Sequence, residues 1–355
     1  MDITTLENAK KHMSAVFMRH RVPSVVGVGI GRKIVRGRET RTLCVRVYVD
    51  EKAQPLDLGT NSMIPPEVLG APTDIVAAGR AFRPLARPGM RLRLFRPTTE
   101  GRERRQPDGS LDAPNINPRL SSRLGAVLHD GSDNYYILGT NHALAVNGRA
   151  IRQELSVCTL DQSEKFSLST FVPLKPLEEL NKVDCALVKL AKPDLNMAIE
   201  AKLGNPELAT SPKPNVERII DPPPVPPETR PTGRIVDKDA DIFVDFSFGT
   251  FLFTNQVLIE GFGAFAGQGE TDPETGNDAK DFATEGDSGS IIVDTDRTEA
   301  VGMVFAGTGR FTAACPLRAV IEALSKQLGP DKELQLYTKE SAQQRLARNH
   351  PVSTF

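Results

Sequence analysis

From about residue 119 the chain is written in short apolar stretches separated by glycine-rich turns, and this texture narrows the possible folds more than any other feature. Arg123 to Leu128, Tyr135 to Gly139, Asp184 to Leu190, Ile242 to Phe246, Val257 to Ile259, Ser290 to Val293 and Ala300 to Phe305 all have strand length and composition. Short strands recurring with turn signals build barrels or sandwiches. The run Asp221-Pro222-Pro223-Pro224-Val225-Pro226-Pro227 suits neither a helix nor a central strand, because proline lacks the amide donor and fixes φ. It predicts a connector over about 206–232, joining one β subdomain at about 119–205 to a second at about 233–335. After Pro316, the positions Leu317, Val320, Ile321, Leu324 and Leu328 recur at helical spacing and predict a closing helix with proline at its start. The tail 336–355 is polar.

Residues 1 to 85 read differently. Thr4 and Glu7 have the spacing of a capping box, and Leu6, Ala9, Met13 and Val16 recur on one helical face. A helix over 5–20 is expected, ending before Pro23. Val26, Val28 and Ile30 alternate with Gly27, Gly29 and Gly31, which predicts a strand bare of side chains on one face, with another group packed closely there. Leu43, Val45, Val47 and Val49 alternate with Cys44, Arg46 and Tyr48 as a second strand, with Arg36-Gly37-Arg38-Glu39 as the hairpin loop. The segment reads as a small α+β module. Its Gly-x-Gly-x-Gly spacing is not GxGxxG and no helix opens on it, so a nucleotide loop is not indicated. The Arg-, Pro- and Gly-rich span 86–118 reads as an exposed linker, and its basic run Arg102-Glu103-Arg104-Arg105 at 101–106 could be processed by a protease.

The 355 residues carry a net charge of -1, which gives no field to attract nucleic acid or anionic membrane. The start of the chain lacks the basic and apolar regions of a secretion signal, and no apolar run approaches membrane-spanning length. The four cysteines, Cys44, Cys158, Cys185 and Cys315, form no CxxC pair and no disulfide framework. A cytoplasmic location is therefore expected. No His, Cys and Asp cluster suggests a metal, so neither metal nor cofactor is expected. The acidic stretch Glu270 to Asp278 does not match a calcium loop and reads as a solvated flap before the residues considered next.

Glu285-Gly286-Asp287-Ser288-Gly289-Ser290 leads into the apolar Ile291-Ile292-Val293. A serine between glycines at the head of a buried strand can be a nucleophile. Gly286 can take backbone angles closed to other residues, so the amides of Gly286 and Ser288 can converge as an oxyanion hole. A serine hydroxyl needs a base. Of the five histidines, His12 and His20 fall on or near the first helix, His350 falls in the tail and His129 in a turn. His142 follows the apolar stretch Tyr136-Ile137-Leu138-Gly139, at a strand end where a rigid scaffold displays reactive groups. Asp184 heads the apolar run Cys185-Ala186-Leu187-Val188, and a buried carboxylate there needs a partner. It can orient the imidazole.

Taken with their neighbours, Thr140-Asn141-His142-Ala143, Val183-Asp184-Cys185-Ala186-Leu187 and Gly286-Asp287-Ser288-Gly289 resemble the motifs of the trypsin-like serine peptidases. The resemblance covers roughly 119–335. It implies a mainly β fold, a chymotrypsin-like double barrel, here preceded by the small α+β module. It also resembles a bacterial and plant group that places a Val-Gly-rich module before such a domain. The implied activity is serine endopeptidase hydrolysis of protein or peptide substrates, with His142, Asp184 and Ser288 as the triad. Phe305, Ala306 and Gly307 would line the substrate groove. Phe282, six residues before the nucleophile, would floor the primary pocket and favour small or apolar residues, whereas an inward Asp281 would favour basic ones. Animal members pair the Asp before the nucleophile with a free N-terminal amine; no such amine is evident, so either Asp287 needs another partner or the enzyme is ordered by something else. Residues 1–85 could contact a regulatory protein or a second copy. The alternative is a catalytically silent binding or scaffold protein on the same fold.

Overall fold

The structure is a computed structural model that describes residues 2–18, 24–36, 38–52, 64–85, 91–93, 121–123, 125–132, 134–145, 147, 155–158, 163–176, 179–190, 205–218, 231–262, 282–338 and 340–341. It is mainly β, with two large sheets.

The larger sheet runs in the order Asn215–Arg218, Ile291–Asp294, Glu299–Gly307, Phe311–Pro316, Gly249–Phe262, Thr232–Phe246, Val25–Val35, Arg38–Val49, Ala71–Ala77, Glu67–Val68. Asn215–Arg218 also pairs with Thr232–Phe246, so the first six strands close into a ring. Their inward apolar residues, including Val216, Ile235, Ile259, Ile292 and Val304, form one buried cluster. The second sheet runs Gln335–Leu336, Val127–His129, Tyr135–Gly139, Ala186–Lys189, Ser163–Phe171, Leu155–Cys158, Arg91–Arg93, Ser121–Arg123. The closing helix Leu317–Leu328 buries Leu317, Val320, Ile321 and Leu324, as its spacing predicts.

Several boundaries differ from the sequence reading. The first helix is Ile3–Met13, followed by a wider π turn over Ser14–Met18, and Asp2 is its N-cap. Thr4 lies inside the helix and caps nothing. The stretch Arg123 to Leu128 is two short strands, Ser121–Arg123 and Val127–His129. The span read as linker contributes Arg91–Arg93 to the second sheet, and the span read as connector contributes Asn215–Arg218 to the ring. Leu336 and Tyr337, at the start of the polar tail, are buried.

The strands of residues 1–85 do not form a sheet of their own. Gly27 pairs with Ile242 and Val28 with Asp241, so the hairpin Val25–Val49 extends the ring's sheet. The bare glycine face explains how. A Cβ at Gly29 would overlap the Asp237 carboxylate, and one at Gly31 would crowd the Arg46 guanidinium. Tyr48 Oη donates to Asp237 Oδ2 at 3.0 Å, and Arg46 bonds the carbonyls of Arg32 and Val236. The glycines therefore make room for a buried polar cluster, which fulfils the expectation of close packing on that face. Burial pushes the Asp237 carboxyl up to about 6, against the lowering effect of the Asp239 amide and the Tyr48 hydroxyl.

Candidate active site

The strand Tyr135–Gly139 is buried along its whole length and ends at Thr140. There the chain turns into the single helical turn Asn141–Leu144, which carries His142. The turn is held by Asn141, whose side-chain amide donates to the Val172 carbonyl at 2.8 Å and whose Oδ1 accepts from the Asn147 amide at 2.9 Å. Asn147 in turn brackets Leu174 with two hydrogen bonds. This network sets the backbone from which the imidazole projects.

Asp184 precedes the strand Ala186–Lys189 of the same sheet, and both Asp184 and His142 are fully buried. The Asp184 carboxylate takes two donors from one residue. Its Oδ1 accepts the His142 backbone N–H at 3.0 Å, and its Oδ2 bonds His142 Nδ1. The loop leading into Asp184 is latched to the other sheet. The Asn181 amide donates to the Leu252 carbonyl at 3.0 Å, and Gln256 donates to the Lys182 carbonyl at 2.9 Å. With Nδ1–H committed to the carboxylate, Nε2 is the acceptor that faces the opposite sheet.

Ser288 lies there, 3.2 Å from Oγ to Nε2. Its hydroxyl also stands 3.1 Å from the Phe305 carbonyl, a second acceptor for its one hydrogen. The loop that carries it turns on Gly286, whose φ of +99° is open to glycine and strained for other residues. The loop is tied inward at both ends: Gly289 N–H donates to the Val304 carbonyl, and Thr284 N–H donates to Asp287 Oδ2. Gly125 packs so close that a Cβ there would overlap the Gly289 carbonyl. The second sheet thus braces the serine loop of the larger one.

The partner that Asp287 requires is Arg218. Its guanidinium lies 2.6 Å from Asp287 Oδ1, both side chains are buried, and Arg218 Nε also donates to the Phe282 carbonyl at 2.9 Å. Sequence reasoning identified the need and not the residue. The available signal was an arginine in Asn215-Val216-Glu217-Arg218, a few residues before the proline run that starts at Pro222.

The remaining expected residues fall in two buried clusters, Phe282 in the ring's interior and Phe305 and Ala306 in the main core. Phe282 is buried beside Ala283 and Val304 in the ring's interior cluster. Asp281, the alternative pocket residue, lies outside the described residues, as does the acidic stretch 270–278. Phe305, Ala306 and Gly307 end a buried strand that pairs with Arg83–Pro84 of the same chain. The Gly286 N–H donates to the Leu85 carbonyl at 2.6 Å. His12 is exposed on the first helix, and His129 packs against Tyr135 and Tyr337, away from the serine. His20 and His350 lie outside the described residues.

Cys185 and Cys315 flank Asp184, and Asp184 N–H points at Cys315 Sγ, 3.4 Å away. Burial, reinforced by that carboxylate, holds both thiols well above their ordinary range, so they stay protonated. Among the described residues no three His, Cys, Asp or Glu side chains group as metal ligands would. Compared with protein-family models and with curated proteins, the chain matches none.

Proposed function

We propose that the chain is a serine endopeptidase of the trypsin-like, two-barrel fold that hydrolyses peptide bonds in protein substrates. The observation that carries this reading is the unbroken line from Asp184 through His142 to Ser288, assembled from two sheets and buried from water. A scaffold has no use for all three groups in hydrogen-bonding reach. The closed six-stranded ring beside a second sheet, with the triad between them, is consistent with the double barrel.

In this mechanism Ser288 Oγ attacks the scissile carbonyl carbon while its proton passes to His142 Nε2. Asp184 holds the tautomer and stabilises the imidazolium. The Gly286 amide faces the developing oxyanion, joined by that of Ser288. The imidazolium then returns the proton to the departing amine, and water repeats the sequence on the ester. Phe305 to Gly307 present a strand edge of the kind that binds an extended peptide, and in this chain Arg83–Pro84 pairs with it. The apolar surroundings of Phe282 favour an apolar residue at the cleavage position. The Arg218 to Asp287 pair does the work that an N-terminal amine does in animal zymogens, so the serine loop needs no such amine. Free thiols at Cys44, Cys185 and Cys315 support a reducing compartment, the cytoplasm. No helix among the described residues is long and apolar enough to cross a membrane.

The internal bond from Gly286 to Leu85 favours one second reading, a peptidase-fold binding protein whose cleft stays closed. A fluorophosphonate probe separates the two. Covalent labelling that maps to the Ser288 peptide, and disappears in Ser288→Ala and His142→Ala, supports the enzyme. Complete absence of labelling in folded protein supports the binding protein.

A further inference from the structure

Beside the triad, the chain places three of its own residues where a substrate would lie. Arg83–Pro84 runs antiparallel to the groove strand, with Pro84 opposite Ala306 and Arg83 opposite Gly307. Leu85 N–H donates to the Phe305 carbonyl at 3.1 Å, and the Leu85 carbonyl accepts the Gly286 N–H at 2.6 Å. Phe305 is also the residue whose carbonyl faces the Ser288 hydroxyl. The peptide group of Leu85 therefore touches both the groove strand and the oxyanion donor next to the nucleophile.

The side chain follows the backbone. Leu85 is only 6% exposed and belongs to the same buried cluster as Phe282, Ala283 and Val304. Its methyls lie against Gly307, where a Cβ would stand 3.4 Å from both, at van der Waals contact. Proline at 84 is tolerated because the ladder takes its donor from Leu85. Upstream, Phe82 anchors the segment: it is fully buried, bridges to Val244, and its carbonyl accepts the Asp245 N–H at 3.0 Å. A segment held by a buried aromatic, a strand ladder, a filled apolar pocket and an oxyanion contact is seated as a substrate is, not merely lying across a surface.

We propose that Arg83-Pro84-Leu85 is an internal substrate strand and that Ser288 cuts the chain in cis after Leu85, an inference that rests on the peptidase reading. Ser288 Oγ bonds to the Leu85 carbonyl carbon as its proton moves to His142. The carbonyl oxygen takes the electron pair against the Gly286 N–H. Collapse breaks the bond to the nitrogen of residue 86, which leaves as an amine carrying the proton from His142. One water then adds to the Leu85 ester, gives a proton to His142, and frees the Leu85 carboxylate as Ser288 recovers its own. The pieces 1–85 and 86–355 stay together, because Val25–Val35 remains paired with Thr232–Phe246. The same seat makes leucine the preferred residue at the cleavage position for other substrates.

The test follows the intact mass of freshly made full-length protein over time, for wild type, Ser288→Ala, Leu85→Ala and Leu85→Asp. Wild type is expected to yield co-eluting fragments that end at Leu85 and begin at Ala86, at a rate independent of protein concentration. Ser288→Ala stays whole. Leu85→Ala slows the cut by about 10- to 200-fold, and Leu85→Asp by at least as much. Leu85→Asp, with its strand expelled from the apolar pocket, hydrolyses a leucyl peptide added in trans. Wild type that stays whole while Leu85→Asp cleaves that peptide overturns the proposal and leaves the peptidase reading standing. A cutting rate that rises in proportion to concentration overturns the cis assignment. If wild type stays whole and Leu85→Asp neither cleaves the peptide nor takes up a fluorophosphonate, the peptidase reading itself falls.

Discussion

The Arg218 guanidinium lies 2.6 Å from the Asp287 carboxylate, with both side chains buried directly behind the serine loop. The two groups form a close buried ion pair, and Thr284 supplies Asp287 with two donors, N–H and Oγ1. Removing one member strands the other charge in a dry interior, which costs about 3–5 kcal/mol. Arg218→Ala is therefore expected to lower unfolding stability by that amount in urea melts. It should also depress peptide hydrolysis, because Gly286 sits next to Asp287 and loses its fixed orientation. Unchanged turnover in the variant would contradict the link between this pair and the oxyanion donor.

Asp184 tests a different part of the site. Its two oxygens hold both the backbone and the ring of His142. Asp184→Asn keeps the shape but offers an amide donor to the ring nitrogen, which favours the wrong tautomer. Turnover is expected to drop by about 10⁴-fold, with fold and melting temperature nearly preserved. Circular dichroism alongside steady-state kinetics checks both halves.

Gly125 joins the two sheets beside the Ser288 loop. A Cβ there would overlap the Gly289 carbonyl and press within 3.0 Å of Ile291. Gly125→Ala is expected to cost about 1–3 kcal/mol by overpacking and to reduce activity more than the stability loss explains, because the strain falls on the serine loop. Comparing kcat/KM at a temperature where the variant is fully folded makes that distinction.

Asp237 predicts a pH dependence far from the triad. Its carboxyl titrates at about 6 in the folded chain, raised chiefly by burial, against about 3.9 when unfolded. Below about pH 4 both states are protonated. Between about 4 and 6 the folded state holds a proton that the unfolded state has lost, so stability falls as pH rises through that window. The loss is on the order of 2–3 kcal/mol and is complete above it. Asp237→Asn lacks this term. Its stability relative to wild type should rise by that amount between about pH 4.5 and 7.5, measured by urea unfolding. A difference independent of pH would contradict the assignment.

What the sequence disclosed depended on how local the cause was. Tyr135–Gly139 and the helix Leu317–Leu328 are legible because their apolar spacing alone decides their burial. His142, Asp184 and Ser288 are legible as candidates because each sits at the head or tail of such a stretch. The bare glycine face was readable as a place of close approach, yet its occupants, Asp237 and Arg46, come from other strands. For the same reason the pairing of Gly27 with Ile242, which merges the first 85 residues into the ring's sheet, left no local mark. Thr4 and Glu7 had capping spacing, but the helix starts earlier, at Ile3, and Asp2 holds the N-cap position without a side-chain capping bond. Arg218 was hidden among 44 lysines and arginines. Leu85 was hidden at the last position of the module, where the linker-like arginine and proline content begins, because its role depends on a strand more than 200 residues away.

Hydrolysis itself is the decisive readout. Purified full-length protein should be incubated with a library of leucine-containing peptides, and the new amino termini counted for wild type and Ser288→Ala. Cleavage after leucine by wild type, reduced by about 10⁴- to 10⁶-fold in the variant, is the expected result. Equal cleavage by both proteins would mean that the hydroxyl at 288 is not the nucleophile and that the triad does not act as one.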